Sequence, residues 1–452
     1  MEREKVKTKE MTAQDRLEKD YFSLIKENSS RLELSDTPVL MNMAVDIGTS
    51  KPRAIDFRTN TNTVNPSDII RIQNKYAILN ASDIEDLSLL EFEEKSLSNM
   101  CCFKMRNLTN INSPISKEIV VSKGLVSDKL VKTSSYSVSN LSKYDQVNEY
   151  IINTYSAIIS CMYSNMVYYL ERGEVENARR VMNVELNLAY MLPDEERLSR
   201  YNETLKEAIQ GVVEFELPMF NGLRGRFSIR SNAPNQWLDL YGEAESAIYY
   251  YLIKHRTPEN MRAYKDHGVT VIDVGEGSMD IVFFKERELI ARASATSRIV
   301  NGSALISRTI RNIENDAFKK GIRLSPSVEQ IKSILEKDPE NLILETPTVK
   351  NFDISDALTK AKEEISGEMA NIFKNTFEKN TVLGGVDNLY LAILAGRTML
   401  GTEKSPSLGE FLAERLEEQL MIPKSVCKIT HPDSNLLGAA LKLSMKINKY
   451  KK

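Results

Sequence analysis

Apolar and polar positions along the chain fall into short strand-like runs broken by glycine turns, interleaved with longer stretches of helical period. Ala44-Val45 leads into Asp46 and Val271-Ile272 into Asp273; each aspartate is followed by a glycine turn. A second apolar run then returns, Arg53 to Phe57 after the first turn and Met279 to Phe284 after the second. Each segment therefore reads as strand, tight turn and returning strand. Helical periodicity covers Asp145 to Ile159, Glu174 to Ala189 and Ala361 to Phe377. Asn301-Gly302-Ser303 opens another helix, and Gln14 to Ile25 is a shorter candidate. Polar stretches at Thr59 to Thr63 and Ser134 to Asn140 predict loops. The echo between the two aspartate-glycine segments predicts two similar domains.

The chemistry of those two turns narrows the reading. Glycines at 48, 275 and 277 permit backbone angles closed to other residues, so the chain bends tightly and its amides converge. Thr49, Ser50 and Ser278 add hydroxyl donors at the same places. Converging donors suit a phosphate. Asp46 and Asp273 each end an apolar strand, where a carboxylate is costly unless a cation or hydrogen bonds compensate it. A magnesium ion held through waters would serve both.

With these segments in view, the chain resembles members of the actin, heat-shock ATPase and sugar-kinase superfamily, whose two lobes each offer such a hairpin to ATP. Glu243-Ala244-Glu245-Ser246-Ala247 resembles the start of the family's first interlobe helix, whose first residue orients the attacking water; this makes Glu243 the catalytic candidate, beside Asp273. Leu389 to Met399 resembles the adenosine segment, bringing in Ala395, Gly396 and Arg397, and Asn435-Leu436-Leu437-Gly438-Ala439 resembles the second interlobe helix. Gly302 opens a helix near the nucleotide. Within the superfamily the chain looks most like bacterial actin-like proteins of the ParM type, in size and in Val212 to Pro218 followed by Gly225 to Arg230, which resembles their strand pair before that helix. The resemblance implies an α/β fold of two lobes, each with a ribonuclease-H-like mixed sheet flanked by helices, and a nucleotide in the interlobe cleft. It divides the chain into an extension at 1–36, a first lobe at 37–242 and, from 243 to 452, the interlobe helix, second lobe and C-terminal return helix.

Three departures stand out. Glu276 interrupts the glycines of the second turn, and either points to solvent or weakens nucleotide binding. The position held by lysine in actins is Arg53, with Lys51 as a rival; arginine would meet phosphate oxygens in a forked contact. Ala395 replaces the first glycine of the adenosine turn, and Arg397 either stacks on the base or is surface charge.

Composition excludes other classes. The 452 residues, 42% apolar, suffice for two cores, and 60 Lys and Arg against 63 Asp and Glu leave a net charge of −3. No global basic surface is available for direct nucleic-acid binding. Cys101, Cys102, Cys161 and Cys427 show no metal spacing, and His255, His267 and His431 are scattered. A reducing cytoplasm is the expected location, with no membrane span or secretory leader. Residues 1–36 read as a partly ordered tail or a docking arm.

The resemblance further implies ATP and ADP as ligands with Mg2+, self-association into filaments, ATP hydrolysis on assembly, and movement of DNA such as a plasmid through a DNA-binding adaptor protein. Its rivals are a nucleotide-binding scaffold with little turnover and a small-molecule kinase of the same fold.

Overall fold

The structure, a computed structural model, describes residues 11–48, 51–57, 64–79, 96–98, 102–123, 135–136, 146–193, 202–220, 222–231, 236–291, 294–337, 339–347, 349–379 and 384–450. The chain divides into two compact units, Met1–Gly242 with Ala439–Lys452, and Glu243–Gly438. The predicted loop at Thr59 to Thr63 lies outside the described residues, as does that at Ser134 to Asn140 apart from a two-residue strand.

The first unit is built on strands β1 (Val39–Asp46), β2 (Arg53–Asp56), β3 (Ile69–Arg71), β4 (Tyr76–Leu79), β5 (Cys102–Asn107), β6 (Ile119–Lys123), β7 (Ser135–Tyr136), β8 (Asn183–Leu192), β9 (Gly211–Leu217), β10 (Leu223–Ile229) and β11 (Leu238–Gly242). They form one mixed sheet in the order β3-β2-β1-β8-β10-β9-β5-β6-β4-β7, with β11 also on β8. Five described helices accompany it: α1 (Ala13–Glu18), α2 (Phe22–Asn28), α3 (Val147–Glu171), α4 (Val175–Arg180) and α5 (Asn202–Ile209). The expected strand pair at Val212 to Arg230 is β9 and β10, antiparallel with Phe215 opposite Gly225. Helix α3 buries Ile151, Tyr155, Ile158, Met162 and Met166. Its buried hydroxyls are satisfied within the helix, Thr154, Ser156 and Ser160 donating to the carbonyls of Tyr150, Ile152 and Ser156 at 2.7–2.8 Å.

One sequence expectation fails here. The helix expected over Glu174 to Ala189 stops at Arg180, and Asn183–Leu192 is instead the central strand β8. β8 runs parallel to β1 on one side and to β10 and β11 on the other. Val184, Leu186, Leu188, Tyr190 and Leu192 alternate along it and are all buried. That period of two was present in the sequence, but the opposite face is also buried through Ala189 and Met191, which blurs the alternation.

Nor are residues 11–36 a tail. Thr12 caps α1 in a reciprocal box with Asp15, and Ala13, Leu17, Tyr21, Ile25 and Leu32 join the same core as α3. The buried Arg16 guanidinium donates to the Ser164 carbonyl at 3.1 Å and to the Met11 carbonyl at 2.9 Å. Gln14 accepts from the Arg71 amide at 2.8 Å, covering a donor on the edge strand β3.

The second unit has strands β12 (Gly268–Val274), β13 (Met279–Lys285), β14 (Glu288–Leu289), β15 (Ala295–Ser297), β16 (Ile343–Leu344), β17 (Phe352–Asp353), β18 (Leu389–Ala395) and β19 (Cys427–Ile429). Its main sheet runs β14-β13-β12-β18-β19, with β15 on β13. The described helices are α6 (Glu243–Lys254), α7 (Pro258–Asp266), α8 (Gly302–Lys319), α9 (Val328–Lys337), α10 (Ser355–Glu378), α11 (Leu408–Leu420) and α12 (Ser434–Tyr450), the last ending in the first unit. The sheet is buried on both faces. Val269, Val271, Leu391 and Ile393 pack against Ala244, Ala247, Ile248 and Tyr251 of α6, spaced as one helical stripe. On the other face Ile272, Val274, Ile281 and Phe283 meet Leu305, Ile313, Ile365 and Phe373 of α8 and α10. Where α12 begins, Gly438 packs on α6 so closely that a Cβ would lie 1.8 Å from the Ser246 carbonyl oxygen. Among the described residues, no helix is long and apolar enough to cross a membrane.

Candidate functional site

In the first unit, β1 delivers Asp46 to the end of a strand, where its side chain is almost fully buried. The returning strand places Arg53 directly opposite. The Arg53 guanidinium donates to Asp46 Oδ2 as an ion pair. A carboxylate at this depth needs such a partner, and Arg53 provides it within the hairpin itself. The guanidinium expected at phosphate thus also holds the aspartate. Gly48 is uncrowded: a Cβ there would come no nearer to another group than 3.9 Å, from the Lys51 carbonyl oxygen. Lys51 is half-buried. Thr49 and Ser50 lie outside the described residues.

The second unit's turn is knitted into a small structure. β12 and β13 pair up to Val274 opposite Met279, and the Gly275 amide donates to the Ser278 carbonyl at 2.9 Å, closing the turn. Three carbonyls of the turn face the start of α8. Gly275 accepts from the Gly302 amide at 2.9 Å, Glu276 from the Ser303 amide at 3.0 Å, and Gly277 from Asn301 Nδ2 at 2.9 Å. In a trans peptide the N–H points opposite to the preceding carbonyl. The amides of Glu276, Gly277 and Ser278 therefore lie on the side of the turn opposite to those carbonyls. Gly302 favours this contact: a Cβ there would stand a tight 3.1 Å from both Glu276 Cα and the Gly275 carbonyl oxygen. Its amide is used by the turn, so its place is structural support.

The adenosine-like turn joins the same cluster. Ala395, at the end of β18, lies in register with Asp273, and Gly396 turns with φ +102°. A Cβ on Gly396 would lie 2.3 Å from the Val274 carbonyl oxygen and 3.1 Å from Asp273 Oδ1, so glycine is required twice over. Thr398, which no sequence motif singles out, donates to that Val274 carbonyl at 2.9 Å. A hydroxyl two residues after a strand-ending glycine was the available signal. Arg397 is exposed. Ser278 donates to Asp280 Oδ2 at 2.8 Å, so in this structure its hydroxyl supports the returning strand. Glu276, left open by the sequence, pairs its carboxylate with Lys332 of α9.

Glu243 begins α6, half-buried, with its carboxylate at the positive end of the helix dipole. The helix lies along β12, the strand that carries Asp273.

The second unit's turn fits a nucleotide phosphate in its chemistry: its glycines carry no side chain and its carbonyls are engaged on the α8 side, which leaves the amides as the groups a phosphate would meet. Asp46 in the first unit and Asp273 in the second are each, taken alone, a hard oxygen donor of the kind magnesium accepts, often through water. Among the described residues no cluster of three or more His, Cys, Asp or Glu side chains is present. The free thiols Cys102 and Cys161 are buried, and burial pushes the Cys161 thiol well up and that of Cys427 to about 11, so neither of these two is a reactive thiolate.

No protein-family model matches the chain, and no curated protein matches it either. Solved structures do. The chain is similar to the actin-like protein Alp7A, with a TM-score of 0.60 at 13% identity over 91% of this chain and 98% of that one. It is also similar to Bacillus thuringiensis ParM with AMPPNP, with a TM-score of 0.55 at 11% identity over 91% and 99%. A 15-stranded ParM filament from Clostridium botulinum matches with a TM-score of 0.51 at 13% identity over 90% and 99%. Together with the sheets flanked by helices in each unit, these likenesses identify the α/β fold of this chain as the actin-like fold, of the ParM type.

Proposed function

We propose that this protein is a nucleotide-dependent, filament-forming ATPase that hydrolyses ATP on assembly, and that its filaments move or position DNA such as a plasmid. The observation that carries the reading is the turn from Gly275 to Ser278, whose carbonyls are taken up by the start of α8 and against whose strand Gly396 packs. Bound ATP with Mg2+ would supply the phosphoryl group and the compensating charge. The chain's own part is to hold the phosphates with the amides of that turn and with Lys51 and Arg53, to present Asp46 and Asp273 to the cation, and to orient water through Glu243. Positioning, not covalent chemistry, is the catalytic contribution. The filament structures of ParM and Alp12 among the similar proteins support self-association. A net charge of −3 argues for an adaptor protein between filament and DNA, and free cysteines support a cytoplasmic location.

The test is light scattering with parallel phosphate release, using ATP-magnesium, ADP or neither. Scattering that rises above a critical concentration with ATP and decays as phosphate appears is the expected result. Binding with slow hydrolysis and no scattering would move the reading to a nucleotide-binding scaffold. The Arg53 and Asp46 pair favours that second reading, because the carboxylate already has a partner.

A further inference from the structure

We propose that Lys332 is a positioning residue for the second phosphate-binding turn, holding the Glu276 carboxylate away from the amides that would receive phosphate. This rests on the nucleotide reading above and deepens it. Glu276 is the first of the three residues whose amides would meet phosphate, and its carbonyl is fixed by the Ser303 amide. Its backbone lies close to Gly302, where a Cβ would stand 3.1 Å from Glu276 Cα. Only the side chain is left to choose a direction. An unrestrained carboxylate at this place would sit within a few ångströms of a bound phosphate and repel it.

Lys332 settles the direction. Its ammonium pairs with Glu276 Oε1, and both side chains are about one-third exposed, at 35% and 28%. The neighbouring residue Ile331 is fully buried in the second unit's core, which fixes the rotation of α9 and hence the side from which Lys332 reaches the turn. The pair thereby turns a charge in the binding loop into a neutral, outward-held contact. The pairing spans 56 positions of sequence, so no local motif reports it.

The experiment measures affinities for ATP and AMP by fluorescence anisotropy or calorimetry at low and moderate salt. In Lys332→Ala, ATP affinity should fall on the order of tenfold, more at low salt, while AMP affinity, lacking the outer phosphates, should change little. Lys332→Arg should restore wild-type ATP affinity. Glu276→Gln combined with Lys332→Ala should bring ATP affinity back to within about twofold of the Glu276→Gln protein. Equal loss for ATP and AMP, or a loss that persists in the double variant, would show a merely structural or directly ligating Lys332 and overturn the proposal, as would an unchanged Lys332→Ala. If the wild-type chain binds neither nucleotide, the nucleotide reading itself fails, an outcome separate from these.

Discussion

Gly438 and the Ser246 carbonyl are in backbone contact: a Cβ on Gly438 would lie 1.8 Å from that oxygen and 2.6 Å from its carbon. Neither atom belongs to a flexible side chain, so added volume must push α12 and α6 apart. Gly438→Ala should cost about 2–3 kcal/mol, in the range of overpacked cores, although alanine is the better helix former. Urea denaturation followed by circular dichroism checks this; a variant within about 0.5 kcal/mol of wild type would show that the helices yield easily.

Removing Arg53 strands a buried carboxylate. Arg53→Ala should destabilise the chain by roughly 3 kcal/mol, and adding Asp46→Asn should recover more than half of that, because the neutral amide no longer needs a counter-charge. Additive losses in the double variant would mean that the two side chains act independently.

Lys362 predicts a pH dependence of stability. Its ammonium is buried, donating to Ser405 Oγ at 3.1 Å and the Pro406 carbonyl at 2.9 Å, and burial lowers its pKa from 10.5 to about 8, against an opposing pull from Glu410. The folded value lies below the unfolded one, so between about pH 8 and 10.5 the unfolded chain binds the proton that the folded chain has released. Stability from this group therefore rises with pH. The difference between wild type and Lys362→Met should grow by about 2 kcal/mol in favour of wild type from about pH 7 to about pH 9.5, measured by urea unfolding at each pH. Taking the difference cancels other groups, such as Cys427, whose raised pKa works in the opposite direction. A flat difference would place the Lys362 ammonium in contact with solvent.

Glu243→Ala separates the functional readings. A filament-forming ATPase should still assemble with ATP while phosphate release falls roughly a hundredfold or more. A scaffold should show no change in either. Loss of assembly alone, with turnover intact, would remove Glu243 from the role of orienting water.

The local devices are set by residue order. The strand, turn and returning strand at Asp46 and Asp273 and the helices around Val147–Glu171 and Ser355–Glu378 were legible in alternation and helical period, and the β9 and β10 pair and the turn at Gly396 followed from the family resemblance. The positive φ expected of Gly48, Gly275 and Gly277 is not taken up there, those glycines keeping ordinary backbone angles. Tertiary structure alone decided what lies opposite what. It turned Asn183–Leu192 into the strand between β1 and β10, since a segment buried on both faces loses its polar markers. It drew Ala13, Leu17 and Ile25 into the first unit's core. It also chose the partners of the charges, Arg53 for Asp46 and Lys332 for Glu276, and brought Thr398 to the Val274 carbonyl. Even the Arg53 pair, close in sequence, depends on strand register, and the other two join residues 56 and 124 positions apart. Such pairings follow from how sheets and helices pack, which residue order specifies only through the folded whole.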